Sequence, residues 1–411
     1  MTKKIVVTGV GATSPLGGTA SESWSALLAG ESGATTLEQP WVEELSLPVT
    51  FAGQAKVAAG DILQRHELKR LDPSSQFALI AGREAWADAG MPQVEPERLA
   101  IDWATGIGGV WTLLDAWDTL RERGPRRVLP MTVPMLMPNG PGAAIGMDLH
   151  ARAGIRTVVS ACASSTESIA NAYDHLQDGL ADVVIAGGSE AAIHPLPIAS
   201  FAAMQALSKR NDDPATASRP YDVTRDGFVL GEGAAALVLE TEEHAKARGA
   251  KIYAELVGGS VTSDAYHITA PDPEGSAAAR AMIAAIRNSG ADLSDVAHIN
   301  AHATSTPVGD IAEYNALRRV FGDLLEGIPV SATKASTGHL LGGAGAIEAF
   351  FTVMSLHERT APPTINLTQQ DPEIPLDVVT EPRTLPDGDL LAISNSFGFG
   401  GHNAVVAFRS V

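Results

Sequence analysis

The chain of 411 residues exceeds the usual size of a single hydrophobic core, and its 45% hydrophobic and 19% charged residues are typical of a globular protein. A net charge of −19 without a basic run argues against nucleic acid as a partner, and a single cysteine excludes a disulfide framework and a multi-cysteine zinc site. The first apolar run is too short for a signal peptide, and no apolar stretch reaches the roughly 20 residues that span a bilayer. We therefore expect a cytosolic protein that does not enter a membrane.

Short β-branched runs alternate with alanine-rich stretches through the first part of the chain. Apolar runs bounded by glycine predict buried strands, and apolar residues at helical spacing after a serine predict helices. The elements predicted in chain order are a strand at 4–11, helices at 21–30 and 74–90, a strand at 158–161, a helix at 164–179 and a strand at 181–191.

The second part of the chain shows the same alternation. It predicts a helix at 275–290, a strand at 296–302, a strand, turn and helix within 328–356, and a hairpin-like pair of strands at 390–408. Alternating strands and helices favour an α/β fold with covered sheets. Because 328–356 repeats the organisation around 158–179, we interpret the chain as two fused, similar halves, 1–250 and 251–411, in one compact body.

The only cysteine lies in VVSACASSTES (158–168), between a predicted strand and the start of a predicted helix. The free N–H groups and the dipole of a helix N-terminus favour a thiolate over a thiol. The same N–H groups can hold an oxyanion that develops during acyl transfer. This position makes Cys162 a candidate nucleophile, although a lone cysteine can also be a buried packing residue.

Two histidines follow predicted strands in the second half, His302 in NAHATSTPVGD and His339 in SATKASTGHLLGGAGA. Both lie among small and hydroxyl residues, which suits a reacting group in a tight turn. From the residues alone, His302 could equally be a turn histidine bonded to backbone, His339 a helix cap, and Lys334 a surface lysine.

Four motifs occur in one order along the chain: ACASS (161–165), HATSTPVGD (302–310), KASTGHLLGGAGA (334–346) and NSFGFGGHN (395–403). Together they resemble the elongating β-ketoacyl-[acyl-carrier-protein] synthases, condensing enzymes of the thiolase fold, and the resemblance runs the whole length. It implies layers of helix, sheet, helix, sheet and helix, and a homodimer. Two departures stand out, since Ala303 replaces the usual glycine and GGHN replaces the more frequent GGTN.

The resemblance implies a role for each motif residue. Cys162 would carry the acyl group, and its N–H and that of Phe399 would hold the oxyanion. His302 and His339 would stabilise the enolate formed when malonyl-carrier protein loses carbon dioxide, and Lys334 would orient them. Phe399 would also act as a gate. No metal or redox cofactor is implied.

Further residues are assigned by the same resemblance to binding or support. Thr304, Thr306 and Thr269 would bind the phosphopantetheine arm, and Ile107, Phe201 and Phe228 would line the acyl pocket. Glu313 and Glu348 are expected to support the site through buried hydrogen bonds. Two basic pairs, Lys69 with Arg70 and Arg126 with Arg127, are candidates for docking an acidic acyl carrier protein. The chain has Gln205 where many relatives have arginine, which would weaken or move this patch.

Related enzymes are distinguished by the residues that they require. Thiolases resemble this pattern but use a second cysteine, and chain-initiating synthases use a Cys-His-Asn pattern. The residues present favour decarboxylative elongation of acyl chains by two carbons. A polyketide ketosynthase subunit and a non-catalytic acyl-binding partner subunit remain alternatives, and the sequence does not determine the preferred chain length.

Overall fold

A computed structural model describes residues 3–411. Ten strands form one hydrogen-bonded sheet: β1 (Ile5–Thr13), β2 (Leu99–Ala104), β3 (Gly154–Val158), β4 (Val183–Glu190), β5 (Gly233–Thr241), β6 (Ala254–Ser263), β7 (Val296–Asn300), β8 (Val330–Ser331), β9 (Leu391–Gly398) and β10 (His402–Arg409). Two separate two-stranded ribbons pair Thr35–Thr36 with Phe51–Ala52, and Thr360–Ala361 with Arg383–Thr384.

The longer helices are α1 (Ala20–Leu28), α2 (Pro73–Asp88), α3 (Val110–Arg123), α4 (Gly140–Asp148), α5 (Ser164–Gln177), α6 (Pro195–Ala203), α7 (Ser276–Asn288), α8 (Pro307–Phe321) and α9 (Ala344–His357). Shorter helical turns lie at Trp41–Glu44, Arg65–Leu68, Thr132–Leu136, Glu242–Ala247 and Lys334–Thr337. No helix among residues 3–411 is both long and apolar enough to cross a membrane.

The two halves of the sheet have the same topology. The first half runs β3-β2-β4-β5-β1 and the second runs β8-β7-β9-β10-β6, so each half has the same order relative to the chain. In each half the first three of these strands are parallel and the remaining neighbours are antiparallel. The halves join where β1 pairs with β6 through Ile5↔Leu256, Val6↔Glu255 and Val7↔Ala254. Because this pairing makes the sheet continuous, the structure shows no gap between the two halves. The boundary between residues 250 and 251 therefore remains a prediction.

Helices lie on both sides of each half of the sheet. Helices α5 and α9 pack against each other, and each contacts strands of both halves, so they form the middle layer, between the two halves. Helices α2 and α4 cover the first half, α7 packs on strands of the second half, and α8 packs against α7 in the same core cluster. Strands β4 and β5 are buried along their full length, as continuous apolar strands between two helical layers must be. The expected layered α/β fold is therefore confirmed.

A short 3₁₀ turn precedes each of the two middle helices. The turn Ala161–Ala163 leads into α5, and the turn Leu341–Gly343 leads into α9. Both turns begin with a residue in the left-handed region, Ala161 at φ 51° and Leu341 at φ 47°. Cys162 and Gly342 are thus counterparts in the two halves.

One predicted strand is misplaced. The strand expected at 158–161 is Gly154–Val158, and the residues after it turn away from the sheet. Ser160 has φ −135° and ψ 45°, and Ala161 is left-handed, so neither continues a strand. Strand β3 is an edge strand with a partly exposed polar pattern, which gives no clean apolar run in the sequence.

Candidate active site

One cavity of about 630 Å³ brings together most of the predicted site residues. Its walls include side chains from both halves of the fold: Cys162, His302, His339, Phe399, Thr269, Thr304, Thr306, Ile107, Phe201 and Phe228. Lys334 lies behind this wall, beside His302. The four basic residues predicted to dock a carrier protein are not part of the cavity.

Cys162 lies in the 3₁₀ turn before α5 and is almost completely buried. Burial raises the pKa of its thiol to about 11, although the charge of Lys334 and the N–H groups of Phe399 and of Cys162 itself act in the opposite direction. Desolvation of the anion thus opposes the groups that favour the thiolate, which are Lys334 and the two N–H groups.

The turn between β9 and β10 approaches the nucleophile closely. A Cβ on Gly398 would lie 2.8 Å from Ser160 O and 3.0 Å from Cys162 N, so only glycine fits there. This contact places the N–H of Phe399 at the thiol. The next residues, Gly400 and Gly401, have φ of 84° and 77°, which glycine adopts without strain. The two N–H groups predicted to hold an oxyanion thus face one sulfur atom.

His302 follows β7 in a turn that is fixed by a buried carboxylate. The N–H groups of His302 and Ala303 donate to the two oxygens of Glu313, at 2.9 and 2.7 Å. Asn395 Nδ2 donates to the same carboxylate at 3.2 Å. Ala303, which stands where the resemblance expects glycine, has φ 33° and lies buried. The backbone accepts the extra Cβ in a left-handed conformation that disfavours it.

Lys334 sets the protonation state of His302. Its Nζ lies 3.4 Å from His302 Nδ1 and forms an ion pair with Glu348. An ammonium group can only donate, so His302 Nδ1 accepts and its proton lies on Nε2. Burial lowers the pKa of His302 well below its usual value, and Lys334 and His339 lower it further. His302 is therefore a neutral imidazole that can donate from Nε2.

His339 presents its ring to the same cavity. Its backbone N–H donates to Val229 O at 2.7 Å, while neither ring nitrogen has a partner among the described residues. The ring meets that of His302 edge-on, with centroids 5.5 Å apart. Burial and the charge of Lys334 lower the pKa of His339 well below its usual value. Two neutral imidazoles thus face a cavity that contains the thiol.

Aromatic rings line one side of this cavity. Phe228 packs edge-on against His339 at 5.4 Å and against Phe201 at 5.3 Å between centroids. Phe397, which sequence reasoning missed, lies 5.7 Å from the ring of His302. The alternation in SFGFGG was a usable signal, because residues two apart on a strand share a face.

The three threonines lie on another side of the cavity. Thr304 and Thr306 share a hydrogen bond of 2.9 Å between their hydroxyls, and Thr306 also caps α8 by accepting from Gly309 N at 3.2 Å. Thr269 lies on a partly exposed loop, where its hydroxyl is 3.3 Å from His267 Nδ1. All three threonines are partly buried and line the cavity wall.

The four predicted docking residues lie on the surface. Lys69 and Arg70 follow the short helix Arg65–Leu68, and Arg126 with Arg127 lie in a 3₁₀ turn after α3. All four are exposed, and none forms an ion pair within residues 3–411. Their charges are free to meet an acidic partner.

A buried carboxylate at the end of β4 was also missed. Glu190 is completely buried and accepts hydrogen bonds from the segment that contains Ile107. The sequence offered a signal for it, because an acidic residue directly after the apolar run VVIAGGS ends a predicted buried strand.

Comparison with known proteins places the whole chain in one family. Residues 2–245 match the β-ketoacyl synthase N-terminal domain, and residues 253–368 match the β-ketoacyl synthase C-terminal domain. The chain is 47% identical over 406 residues to 3-oxoacyl-[acyl-carrier-protein] synthase 2 of Mycobacterium tuberculosis, covering 98% of this chain and 96% of that protein. It is 45% identical over 411 residues to the Staphylococcus aureus protein of the same name, covering 99% and 98%.

Solved structures show the same relationship. A β-ketoacyl synthase from Burkholderia phymatum is 36% identical and matches with a TM-score of 0.91 over 100% of both chains. The ketosynthase of a type II polyketide synthase, solved in complex with its acyl-carrier protein and bound to the hexaketide, is 32% identical with a TM-score of 0.92 over 100% of both chains. The chain belongs to the β-ketoacyl synthase family and is a condensing acyltransferase with a thiolase-like fold.

Proposed function

We propose that the chain elongates a fatty acyl group by two carbons, using an acyl thioester and malonyl-carrier protein as substrates. The observation that supports this most directly is the cavity in which Cys162, His302 and His339 meet, with Lys334 fixing the tautomer of His302. A thiol nucleophile, two oxyanion donors and two neutral imidazoles are what a decarboxylative condensation requires.

In the first half of the reaction Cys162 takes up the acyl group. Its sulfur forms a bond to the thioester carbonyl, and the N–H groups of Cys162 and Phe399 stabilise the tetrahedral oxyanion. The bond from the carbonyl carbon to the phosphopantetheine sulfur then breaks. The thiol proton leaves with the released phosphopantetheine thiol, so the charges balance.

In the second half malonyl-carrier protein occupies the same cavity. Its Cα–carboxylate bond breaks, carbon dioxide leaves, and the electron pair forms an enolate on the thioester oxygen. His302 and His339 donate N–H groups to that oxygen. The enolate carbon then attacks the acyl-Cys162 carbonyl, the C–S bond breaks, and the thiolate of Cys162 takes up one proton. The products are a 3-ketoacyl thioester and carbon dioxide.

We propose that acyl carrier protein delivers both substrates, with Thr304, Thr306 and Thr269 contacting the phosphopantetheine amides from the cavity wall. Ile107, Phe201 and Phe228 would surround the acyl chain. The solved polyketide relative forms a complex with its own acyl-carrier protein, which supports this class of partner. The chemistry is complete with these side chains and two thioesters, so we propose that it needs no metal or redox cofactor.

The test is to assay the purified chain with malonyl-carrier protein and carrier proteins that bear short, medium and long acyl groups. Intact mass should show an acyl adduct on the native chain and none on Cys162→Ala, while Cys162→Ala still releases carbon dioxide. His339→Ala should keep the adduct and lose most carbon dioxide release, at least about 100-fold. A Cys162→Ala enzyme that still condensed at a near-native rate would disprove the proposed nucleophile.

A polyketide ketosynthase is the second candidate, because a ketosynthase of a type II polyketide synthase is 32% identical and covers 100% of both chains. The same assay separates the two functions. A fatty acyl synthase accepts saturated acyl groups and releases the product after one condensation, whereas a polyketide enzyme repeats the condensation on unreduced ketoacyl chains. A non-catalytic partner subunit would give no acyl adduct at all, and the presence of Cys162, His302 and His339 argues against it.

We further propose that the chain forms a homodimer and works in the cytoplasm. The edge strand β3 offers unpaired backbone groups, and apolar side chains beside it and on α3 are exposed in the single chain: Ile155 at 41%, Val159 at 53%, Leu113 at 51% and Trp117 at 55%. Sedimentation equilibrium should give twice the mass of one chain. Val159→Asp and Trp117→Asp should lower that mass, and a native chain that sediments as a monomer at micromolar concentration would disprove the dimer.

A further inference from the structure

Glu190 ends β4 and is completely buried. Its carboxylate accepts from Thr105 Oγ1 at 3.0 Å, Gly106 N at 2.7 Å, Ile107 N at 3.3 Å and Gly342 N at 3.0 Å. Three of these donors belong to the segment between β2 and α3, and the fourth belongs to the turn before α9. One carboxylate therefore holds a segment of the first half against a turn of the second half.

The two parts that Glu190 joins are in close contact and both reach the cavity. A Cβ on Gly342 would lie 2.0 Å from Gly106 N, so neither backbone can move toward the other. Gly106, Ile107 and Leu341 all line the cavity that contains Cys162. The bonds to Glu190 thus fix two neighbouring parts of the wall.

The repeat of the fold explains why a carboxylate sits at this place. Gly342 is the counterpart of Cys162, and both precede a middle-layer helix. In the first half the N–H of Cys162 faces the reacting sulfur. In the second half the equivalent N–H donates to Glu190. The anion-binding end of α9 is occupied by a protein carboxylate rather than by substrate.

We infer that Glu190 is a positioning residue that determines which acyl chains the cavity accepts, by holding Gly106 and Ile107 against the turn Leu341–Gly343. The inference rests on the proposed function, in which Ile107 borders the acyl chain. Its two carboxylate oxygens accept two bonds each, whereas a glutamine has one acceptor oxygen and would point its NH₂ group at N–H donors. Glu190→Gln must therefore release part of the wall.

Glu84 provides a matched control. It also accepts two backbone N–H groups, from Ala12 at 2.8 Å and Ala20 at 2.9 Å, but it lies on α2 and does not line the cavity. For the native chain, Glu190→Gln and Glu84→Gln, we would measure the melting temperature and kcat/KM with short, medium and long acyl-carrier proteins. Both variants should melt at a lower temperature. Only Glu190→Gln should reduce the ratio of kcat/KM between the best and the worst acyl chain, by about tenfold.

A Glu190→Gln enzyme with an unchanged ratio and a lowered melting temperature would show that Glu190 is only structural, and an equal change in Glu84→Gln would show the same. If Glu190→Gln does not fold, Thr105→Val removes one donor to the carboxylate together with the acceptor of Gly108 N, and Thr105→Ser restores both. The ratio should fall in Thr105→Val and recover in Thr105→Ser, and an unchanged ratio in Thr105→Val would overturn the inference. Failure of the native chain to form any acyl adduct on Cys162 would instead contradict the proposed function.

Discussion

His302 and His339 are buried beside a lysine charge, and this determines how the enzyme responds to pH. Their pKa values lie well below 6.5, because burial and Lys334 disfavour a second positive charge. Both rings should therefore stay neutral as the pH falls from about 7.5 to about 5.5. We predict that carbon dioxide release at saturating malonyl-carrier protein is nearly constant over this range.

The lowered pKa values of His302 and His339 also make the folded chain less stable at low pH. Below about pH 6.5 the unfolded chain protonates these histidines and the folded chain does not, so their contribution to the free energy of unfolding falls as the pH falls. The pH profile of carbon dioxide release, taken where the chain remains folded, checks the prediction. Burial raises the pKa of Glu348, the ion-pair partner of Lys334, to about 7. A half-maximal rate near pH 6.5 that persists in Glu348→Gln would therefore mean that the imidazoles protonate in the folded enzyme.

Ala303 stands at a left-handed position, where glycine has no Cβ penalty. Replacing it with glycine should remove about 1–2 kcal/mol of backbone strain from the folded chain. The same change raises the conformational entropy of the unfolded chain, which opposes folding by roughly 0.4–1 kcal/mol. We predict that Ala303→Gly raises the free energy of unfolding by about 0.5–1 kcal/mol in chemical denaturation. Ala301→Gly, at a buried position outside the left-handed region, is the control and should lower it. If Ala303→Gly lowered the free energy of unfolding as much as Ala301→Gly does, the backbone at Ala303 would not be strained.

At the scale of residues, the sequence predicted which side chains meet, but not their chemical state. The motifs contain the reacting atoms themselves, so Cys162, His302 and His339 could be named from the family resemblance that the motifs carry, whereas position alone left both histidines open. The raised pKa of Cys162 could not be predicted, because it follows from burial by the folded chain, in which Gly398 approaches the backbone of Cys162 from far along the sequence. Glu190 was missed since its four donors come from two distant segments.

Among the elements, the β9–β10 turn places Phe399 at the wall of the cavity that also contains His302 and His339. Phe399 lies between Gly398 and Gly400, partly exposed, and its own N–H faces Cys162. Glycines on both sides let the turn move its ring. If Phe399 closes the cavity until Cys162 is acylated, Phe399→Ala should slow condensation and raise the carbon dioxide released per ketoacyl product, by about threefold or more.

The measurement for this prediction counts both products in one reaction. Phe397→Leu is a suitable comparison, because Phe397 packs on His302 but precedes the flexible glycines. A native ratio of carbon dioxide to ketoacyl product in Phe399→Ala, in an enzyme that acylates normally, would leave Phe399 as a packing residue.

The positions of strands with continuous apolar runs could be predicted well from the sequence, whereas the position of a partly exposed edge strand could not. Strand β4 and the β9–β10 pair are buried between helices, which forces the apolar pattern that reveals them. Strand β3 lies at the edge of the sheet and is half exposed, so its sequence carries no such constraint. The prediction shifted the strand into the turn that holds Cys162.

Across the whole molecule, a strongly acidic chain is expected to bind an acidic carrier protein through local basic groups. Lys69 and Arg70 are exposed and unpaired among the described residues. Reversing both to glutamate should raise KM for the carrier-bound substrate by about fivefold to tenfold at low salt, with little change in kcat. Added salt should raise the native KM and reduce the difference between the two enzymes.

Arg287 and Arg318 supply the matched control, since both are exposed on the outer helices α7 and α8 of the second half. Their reversal changes the total charge by the same amount. An equal rise in KM for both double variants would show a general charge effect and would exclude a specific docking surface at Lys69 and Arg70.

The duplicated organisation of the molecule could be predicted from the likeness of its two strand–turn–helix segments. What the sequence did not show is how the halves meet. The β1–β6 pairing that joins them involves mostly apolar strand residues, with Glu255 opposite Val6, and no local signal in the sequence identifies their partners.

The meeting of the two turns also limits how many reactive centres one chain can contain. If each half had kept its own nucleophile, a side chain at Gly342 would have to occupy the space of Gly106 N, only 2.0 Å away. The two similar halves therefore differ in their chemistry. The turn Ala161–Ala163 carries the reacting cysteine, and the turn Leu341–Gly343 packs against the segment that contains Gly106. Both thioesters must therefore react at that single centre one after the other. We expect ping-pong kinetics, in which double-reciprocal plots give parallel lines when one substrate is varied at fixed levels of the other.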